Sequence, residues 1–161
     1  MARLKVETLG EAPLGARRLV RLCAKRVFAY FAYPFEAEVC VRFVTPAEIR
    51  GLNAKYRGKD KETDVLSFPE LDFYRGEGKI SDADKDPATK RVFLGDTVIS
   101  LSRAREQARE FGHGTARECA YLTVHSMLHL LGFDHEDEGE EKKAMREKEE
   151  DILKSLGLER K

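Results

Sequence analysis

The sequence predicts an α/β domain of four short strands and five helices along a chain of 161 residues. Three observations carry this. Short alternating, β-branched runs recur along the chain. Longer stretches between them place apolar residues at helical spacing. Proline and glycine stand at most junctions. A chain this long, 42% hydrophobic and 36% charged, builds one core, so a single domain over residues 1–161 is expected.

"LKVETL" alternates as a first strand, and Pro13 and Gly15 break it. Residues 16–33, "ARRLVRLCAKRVFAYFAY", put apolar side chains at 19, 20, 22, 23, 27, 28 and 31 and Arg and Lys on the other face. Pro34 ends that helix. "AEVCVRFV" (37–44) is a second strand. Thr45, Pro46 and Glu48 supply an N-cap, an N1 proline and a first-turn acid to a helix running through about Tyr56. "TDVLSF" (63–68) is a third strand, stopped by Pro69.

Residues 70–91, "ELDFYRGEGKISDADKDPATKR", are mostly polar, with two glycines and a proline. A flexible loop is expected there. "VFLGDTVIS" (92–100) is a fourth strand, where Gly95 signals a bulge or a close backbone approach. "LSRAREQAREFG" is an amphipathic helix ending at Gly112. "TARECAYLTVHSMLHLLG" (115–132) is a long, apolar helix. Thr115 and Glu118 have capping-box spacing, and Gly132 suits a C′ stop. A charged helix over about 137–156 completes the order.

Composition excludes some classes. No window of about 18 apolar residues is present, so no transmembrane helix is expected. The N-terminal "MARLKVETLGEAPLG" lacks the apolar region of a secretory signal. Cys23, Cys40 and Cys119 are odd in number, far apart and without CxxC spacing. They argue for a reducing cytoplasm, against a disulfide framework, and for packing as small hydrophobes. Net charge is zero, but residues 1–60 hold twelve Lys/Arg against six Asp/Glu, and residues 134–161 hold seven against eleven. A basic front half can attract a polyanion; ordinary solvated faces explain the split as well.

The chemistry concentrates in "HSMLHLLGFDH" (125–135), which holds three of the four histidines. His125 and His129 share one helical face and can bind one metal ion together. Gly132 can turn the chain back so that His135 supplies a third nitrogen. Three imidazoles with an open fourth position suit a catalytic zinc site, although such a set accepts several divalent metals. Peptidases of the HExxH type carry their general base directly after the first histidine. That position is Ser126, which cannot take a proton near neutral pH, so ordinary zinc proteolysis is not expected. Asp134 and Glu136 flank His135 as orienting partners or as plain loop acids. His113, in a Gly-His-Gly turn, is read as a loop residue.

At this point the residues resemble a known family. "HSMLHLLGFDH" is similar to the signature H-G-x-L-H-L-x-G-[YF]-D-H of the YbeY endoribonucleases, the ribosomal RNA maturation factors. "NAKYRGKDKETDVLSF" (53–68) resembles that family's N-x-x-[YF]-R-x-x-[DN]-x-x-T-D-V-L-S-F segment, and "LGDTVIS" (94–100) its L-G-D-[IV]-x-I-S strand. The blocks fall in the family's order. Two residues depart from it: Ser126 where glycine is usual, and Thr97 where an aliphatic is usual. Ser126 would place a hydroxyl on the helix near the metal.

The resemblance implies a mixed four-stranded sheet with helices, related to zinc metalloproteases. It implies a zinc-dependent, single-strand-specific endoribonuclease acting at the 3′ end of small-subunit ribosomal RNA and in ribosome quality control. Single-stranded ribosomal RNA would be its substrate, with the small subunit or assembly proteins as partners and no membrane. His125, His129 and His135 fall on the family's zinc ligands, one ion per chain, and Arg57 on its functionally important arginine. By pattern alone Arg57 reads as a surface residue of a basic loop with Lys55, Lys59 and Lys61; the resemblance assigns it a catalytic role. A guanidinium can grip two non-bridging phosphate oxygens.

The attacking oxygen is then either water activated at the metal or the RNA's own 2′-OH. Asp64, Ser67 and Asp96 read as hydrogen-bonded sheet-end residues or as the lining of an RNA groove. Tyr56 and Phe68 are candidates for base stacking, with core packing the stronger reading of Phe68. The alternative function is a non-catalytic, zinc-stabilised ribosome assembly factor.

Overall fold

A computed structural model describes residues 2–134 and 139–158. Its elements are β1 (Leu4–Leu9), α1 (Leu14–Phe31), β2 (Ala37–Val44), α2 (Pro46–Arg57), β3 (Val65–Pro69), β4 (Val92–Ser100), α3 (Leu101–Phe111), α4 (Thr115–Leu130) and α5 (Glu140–Ser155). The strands form one mixed sheet in the order β1-β2-β4-β3. β1 runs parallel to β2 and β2 parallel to β4. β3 lies antiparallel to β4 at the edge. The α/β class and the four-stranded sheet with five helices are as expected.

The larger core lies where α1, α4 and α5 pack over one sheet face. α4 touches β3, β4 and three other helices, which is why its sequence is apolar nearly all round. α2 covers the other face through Ile49, which packs with Leu66 and Val98. α2 starts as its sequence dictates: Thr45 Oγ1 accepts from Glu48 N at 3.1 Å, and Glu48 Oε1 from Thr45 N at 3.2 Å.

The same signal fails at α4. Its N-cap is Gly114, with no side-chain cap. Glu118 instead turns inward, 1% exposed, with Oε1 2.8 Å from His113 Nε2. His113 lies in the loop between α3 and α4, as expected, and there it pairs with a carboxylate taken out of water.

Other boundaries shift for local reasons. α1 ends at Phe31, because Ala32 adopts a left-handed conformation (φ 51°) before Pro34. β3 begins at Val65, and just before it Asp64 Oδ1 accepts from Val65 N at 2.7 Å. Gly95 sits at a register shift opposite Glu38 and Val39. A Cβ on Gly95 would lie 2.3 Å from the Phe68 carbonyl oxygen, so the expected close approach is real.

Segment 70–91 contains a turn of 3-10 helix at Asp82–Asp84. Its first part is tied to the end of α4: Arg75 N donates to Gly132 O at 3.1 Å and Gly76 N to Leu131 O at 2.8 Å. Cys23, Cys40 and Cys119 are buried and free, as small core residues are.

Candidate functional site

The helical spacing of His125 and His129 brings their Nε2 atoms to 3.2 Å, with the rings nearly perpendicular at 82°. Each ring is held from behind. His125 Nδ1 lies 2.7 Å from Glu149 Oε1 of α5, and its ring stacks on Tyr121 at 5.7 Å between centroids. His129 Nδ1 donates to the Phe133 carbonyl oxygen at 2.9 Å.

A carbonyl only accepts, so the proton of a neutral His129 sits on Nδ1 and its Nε2 lone pair faces His125. This is the arrangement metal-bound histidines use: one nitrogen for the ion, the other donating to an orienting acceptor.

The Phe133 carbonyl is placed by the end of α4. Phe133 N donates to Leu128 O and Gly132 N to His129 O, each at 3.0 Å, which is a Schellman motif. It requires the left-handed conformation that Gly132 adopts at φ 91°. A Cβ on Gly132 would also lie 2.1 Å from the Phe73 carbonyl oxygen, so the loop after β3 packs directly on this turn.

The pair fits a tetrahedral ion. Two nitrogens bonded at about 2.05 Å to one such ion stand roughly 3.3 Å apart, close to the 3.2 Å found. Among the described residues no cluster of three or more His, Cys, Asp or Glu side chains suits a metal. His135, expected as the third ligand, and Glu136 lie outside the described residues.

The histidines line a cleft of about 540 Å³ beside β3. Arg57, Lys59 and Lys61 line it too, with Asn53, Asp64, Ser67 and Asp134. Arg57 is the last residue of α2 and is exposed. A larger open groove of about 990 Å³, by Gly10, Arg42 and Arg105, contains none of these residues. The chemistry favours the smaller cleft.

Asn53 was not singled out by sequence, although the family-like block begins with it. It is 3% exposed. Its Nδ2 donates to Lys61 O at 3.0 Å, and its own carbonyl accepts from Lys59 N at 3.2 Å. One residue thus ties both ends of the basic loop to α2. Asp60 in that loop is held by Arg50 at 2.9 Å. That hydrogen bond and charge keep the Asp60 carboxyl below its usual range.

Ser126 itself does not line the cleft. Its side chain is fully buried and points at the sheet. Its Oγ lies 2.7 Å from Ser67 Oγ and 2.7 Å from Thr97 Oγ1. The two departures from the family pattern therefore contact each other. Asp64 lines the cleft just before β3, whereas Asp96 lies opposite Cys40 of β2 and does not line it.

The sequence profile of the family described as Endoribonuclease YbeY matches residues 10–157. An Endoribonuclease YbeY of Caldanaerobacter subterraneus subsp. tengcongensis is 57% identical over 125 residues, 78% of this chain and 77% of the relative. One from Acetivibrio thermocellus is 42% identical over 156 residues, 97% of this chain and 93% of the relative. The solution structure of TM1509 from Thermotoga maritima shares the fold, with a TM-score of 0.58 at 24% identity over 94% of this chain and 91% of that one.

Proposed function

Because the chain belongs to the Endoribonuclease YbeY family, we propose that it is a zinc-dependent, single-strand-specific endoribonuclease acting in ribosomal RNA processing. Its place is the 3′-end maturation of small-subunit RNA and ribosome quality control, in the cytoplasm, on the small subunit or with assembly proteins. No helix among the described residues is long and apolar enough to cross a membrane. The observation that carries the reading is one cleft that joins a converging histidine pair to three cations.

His125, His129 and His135 would hold the ion. When bound, zinc polarises a phosphoryl oxygen and lowers the pKa of a bound water. The chain's own residues do the rest. Glu149 and the Phe133 carbonyl fix the two rings before any ligand arrives. Lys59 and Lys61 draw the phosphate backbone in. Arg57 forks two non-bridging oxygens and offsets the charge that grows on them as the phosphodiester is cut. Ser126 offers no base for peptide hydrolysis, since its hydroxyl is taken up by Ser67 and Thr97.

The test compares wild type with Arg57→Ala on single-stranded precursor ribosomal RNA, with and without assembled small subunits. Cleavage should fall on the order of 10²- to 10³-fold, with circular dichroism and zinc content unchanged. A purified wild type that never cuts RNA would replace the enzyme with a zinc-stabilised assembly factor. Product ends assign the nucleophile: a 2′,3′-cyclic phosphate with a 5′-hydroxyl marks the RNA's own 2′-OH, whereas a 3′-hydroxyl with a 5′-phosphate marks water.

A further inference from the structure

An aromatic pair stands beside the histidine cleft, and the proposed chemistry does not use it. Tyr56 precedes Arg57 in the last turn of α2, and 58% of its surface is exposed. Its ring meets that of Phe68 at 5.3 Å between centroids, with the planes at 71°. Phe68 packs against Ile49, Leu66 and Val98, so Tyr56 leans on a fixed partner. Lys55 Nζ lies 5.1 Å from the Tyr56 ring centroid, over its electron-rich face.

Neither ring lines the cleft itself, but each adjoins residues that do. Side chains alternate along β3, so Phe68 faces α2 and Ser67 faces α4. Ser67 and Pro69 on either side of Phe68 line the cleft, as does Arg57 next to Tyr56. A chain leaving the cleft over the edge of β3 past Arg57 would run by Tyr56. Arg57, Lys59 and Lys61 line the cleft with Asp64 and Asp134, Lys55 lies over the Tyr56 ring, and the acid between these cations in sequence, Asp60, is engaged by Arg50. A tyrosine that merely covered the core edge would not need to stay more than half exposed beside cations. A base-stacking surface does. Proteins that bind single-stranded RNA combine a cationic track for phosphates with aromatic rings for bases.

We infer that Tyr56, backed by Phe68, is a nucleobase subsite for single-stranded RNA. One unpaired base next to the phosphate in the cleft lies on the Tyr56 ring, and Lys55 turns from the ring to the neighbouring phosphate. The inference rests on the RNA reading above and deepens it. A base inside a duplex is already stacked on both sides and cannot enter, so the subsite itself favours single strands. It reads no base edge, so it tolerates any sequence.

The test is binding of zinc-loaded protein to fluorescently labelled oligoribonucleotides, read by anisotropy on mixing, before cleavage. The oligonucleotides are intact or carry one abasic residue, moved along the strand. Tyr56→Ala should weaken binding of the intact strand roughly 5- to 150-fold, and Tyr56→Phe should restore it. One abasic position should weaken wild type by a similar factor and leave Tyr56→Ala unaffected. Equal affinity of wild type and Tyr56→Ala for intact RNA would overturn the subsite and leave the rings to a protein contact. A wild type that binds no single-stranded RNA would overturn the RNA reading as well, which separates the two failures. Tyr56 is exposed, so thermal unfolding should show that the variants fold as wild type does.

Discussion

Glu149 Oε1 lies 2.7 Å from Nδ1 of His125, and this contact joins α5 to the helix that carries the histidine pair. Glu149 is 7% exposed, buried with Met145, Ile152 and Leu153 in a helix otherwise rich in charged residues. A carboxylate is withdrawn from water only where a partner compensates it. Here the partner is a ring whose orientation sets the direction of Nε2. Glu149→Ala should therefore weaken zinc binding about 10- to 100-fold, read by competition with a chromophoric chelator. Glu149→Gln keeps an oxygen acceptor and should lose less. Equal zinc affinity in wild type and Glu149→Ala would show that Glu149 does not position His125.

Ser126 and Thr97 form a second test. Their hydroxyls meet at 2.7 Å beneath α4, and Ser67 extends the chain to the cleft wall. Ser126→Ala strands the fully buried Thr97 hydroxyl and should cost about 1–3 kcal/mol. Ser126→Ala combined with Thr97→Val removes both groups and should recover most of that loss. Urea unfolding of the zinc-saturated proteins measures it. Strictly additive losses would mean that the pair is not coupled.

The contrast between these two contacts shows what the sequence makes legible. His125 and His129 share a helical face, and local spacing is enough to see it. The strands and helices follow from alternation and helical periodicity, which are local as well. The antiparallel setting of β3 at the sheet edge depends on partners far along the chain.

Glu149 left a faint trace. Met145, Glu149, Ile152 and Leu153 fall on one buried stripe, and an acid on such a stripe implies a buried partner. Nothing local names that partner as His125. The Ser126–Thr97 contact spans 29 residues and left only two unrelated-looking departures from a motif. Capping boxes show the same limit. Thr45 and Glu48 form one because both are exposed. Thr115 and Glu118 have equal spacing and form none, because His113 draws Glu118 into the interior.

The buried thiols predict a pH dependence of stability. Burial pushes Cys23 up to about 12, with Cys119 adding to the effect, and pushes Cys119 up to about 11, with Glu118 adding. An unfolded thiol ionises near 9.0. Below that pH both states keep the proton, and the thiols contribute no slope. Above it the unfolded chain releases protons that the native state holds, so stability falls as pH rises from 9 towards 11 or 12. Each thiol adds at most about 1.4 kcal/mol per pH unit in that window. Cys23→Ala should therefore flatten the decline between pH 9 and 11, whatever it costs at pH 8 through lost packing. Urea unfolding under reducing conditions at several alkaline pH values gives the slope. Parallel pH profiles for wild type and Cys23→Ala would show that Cys23 keeps no elevated pKa in the folded protein.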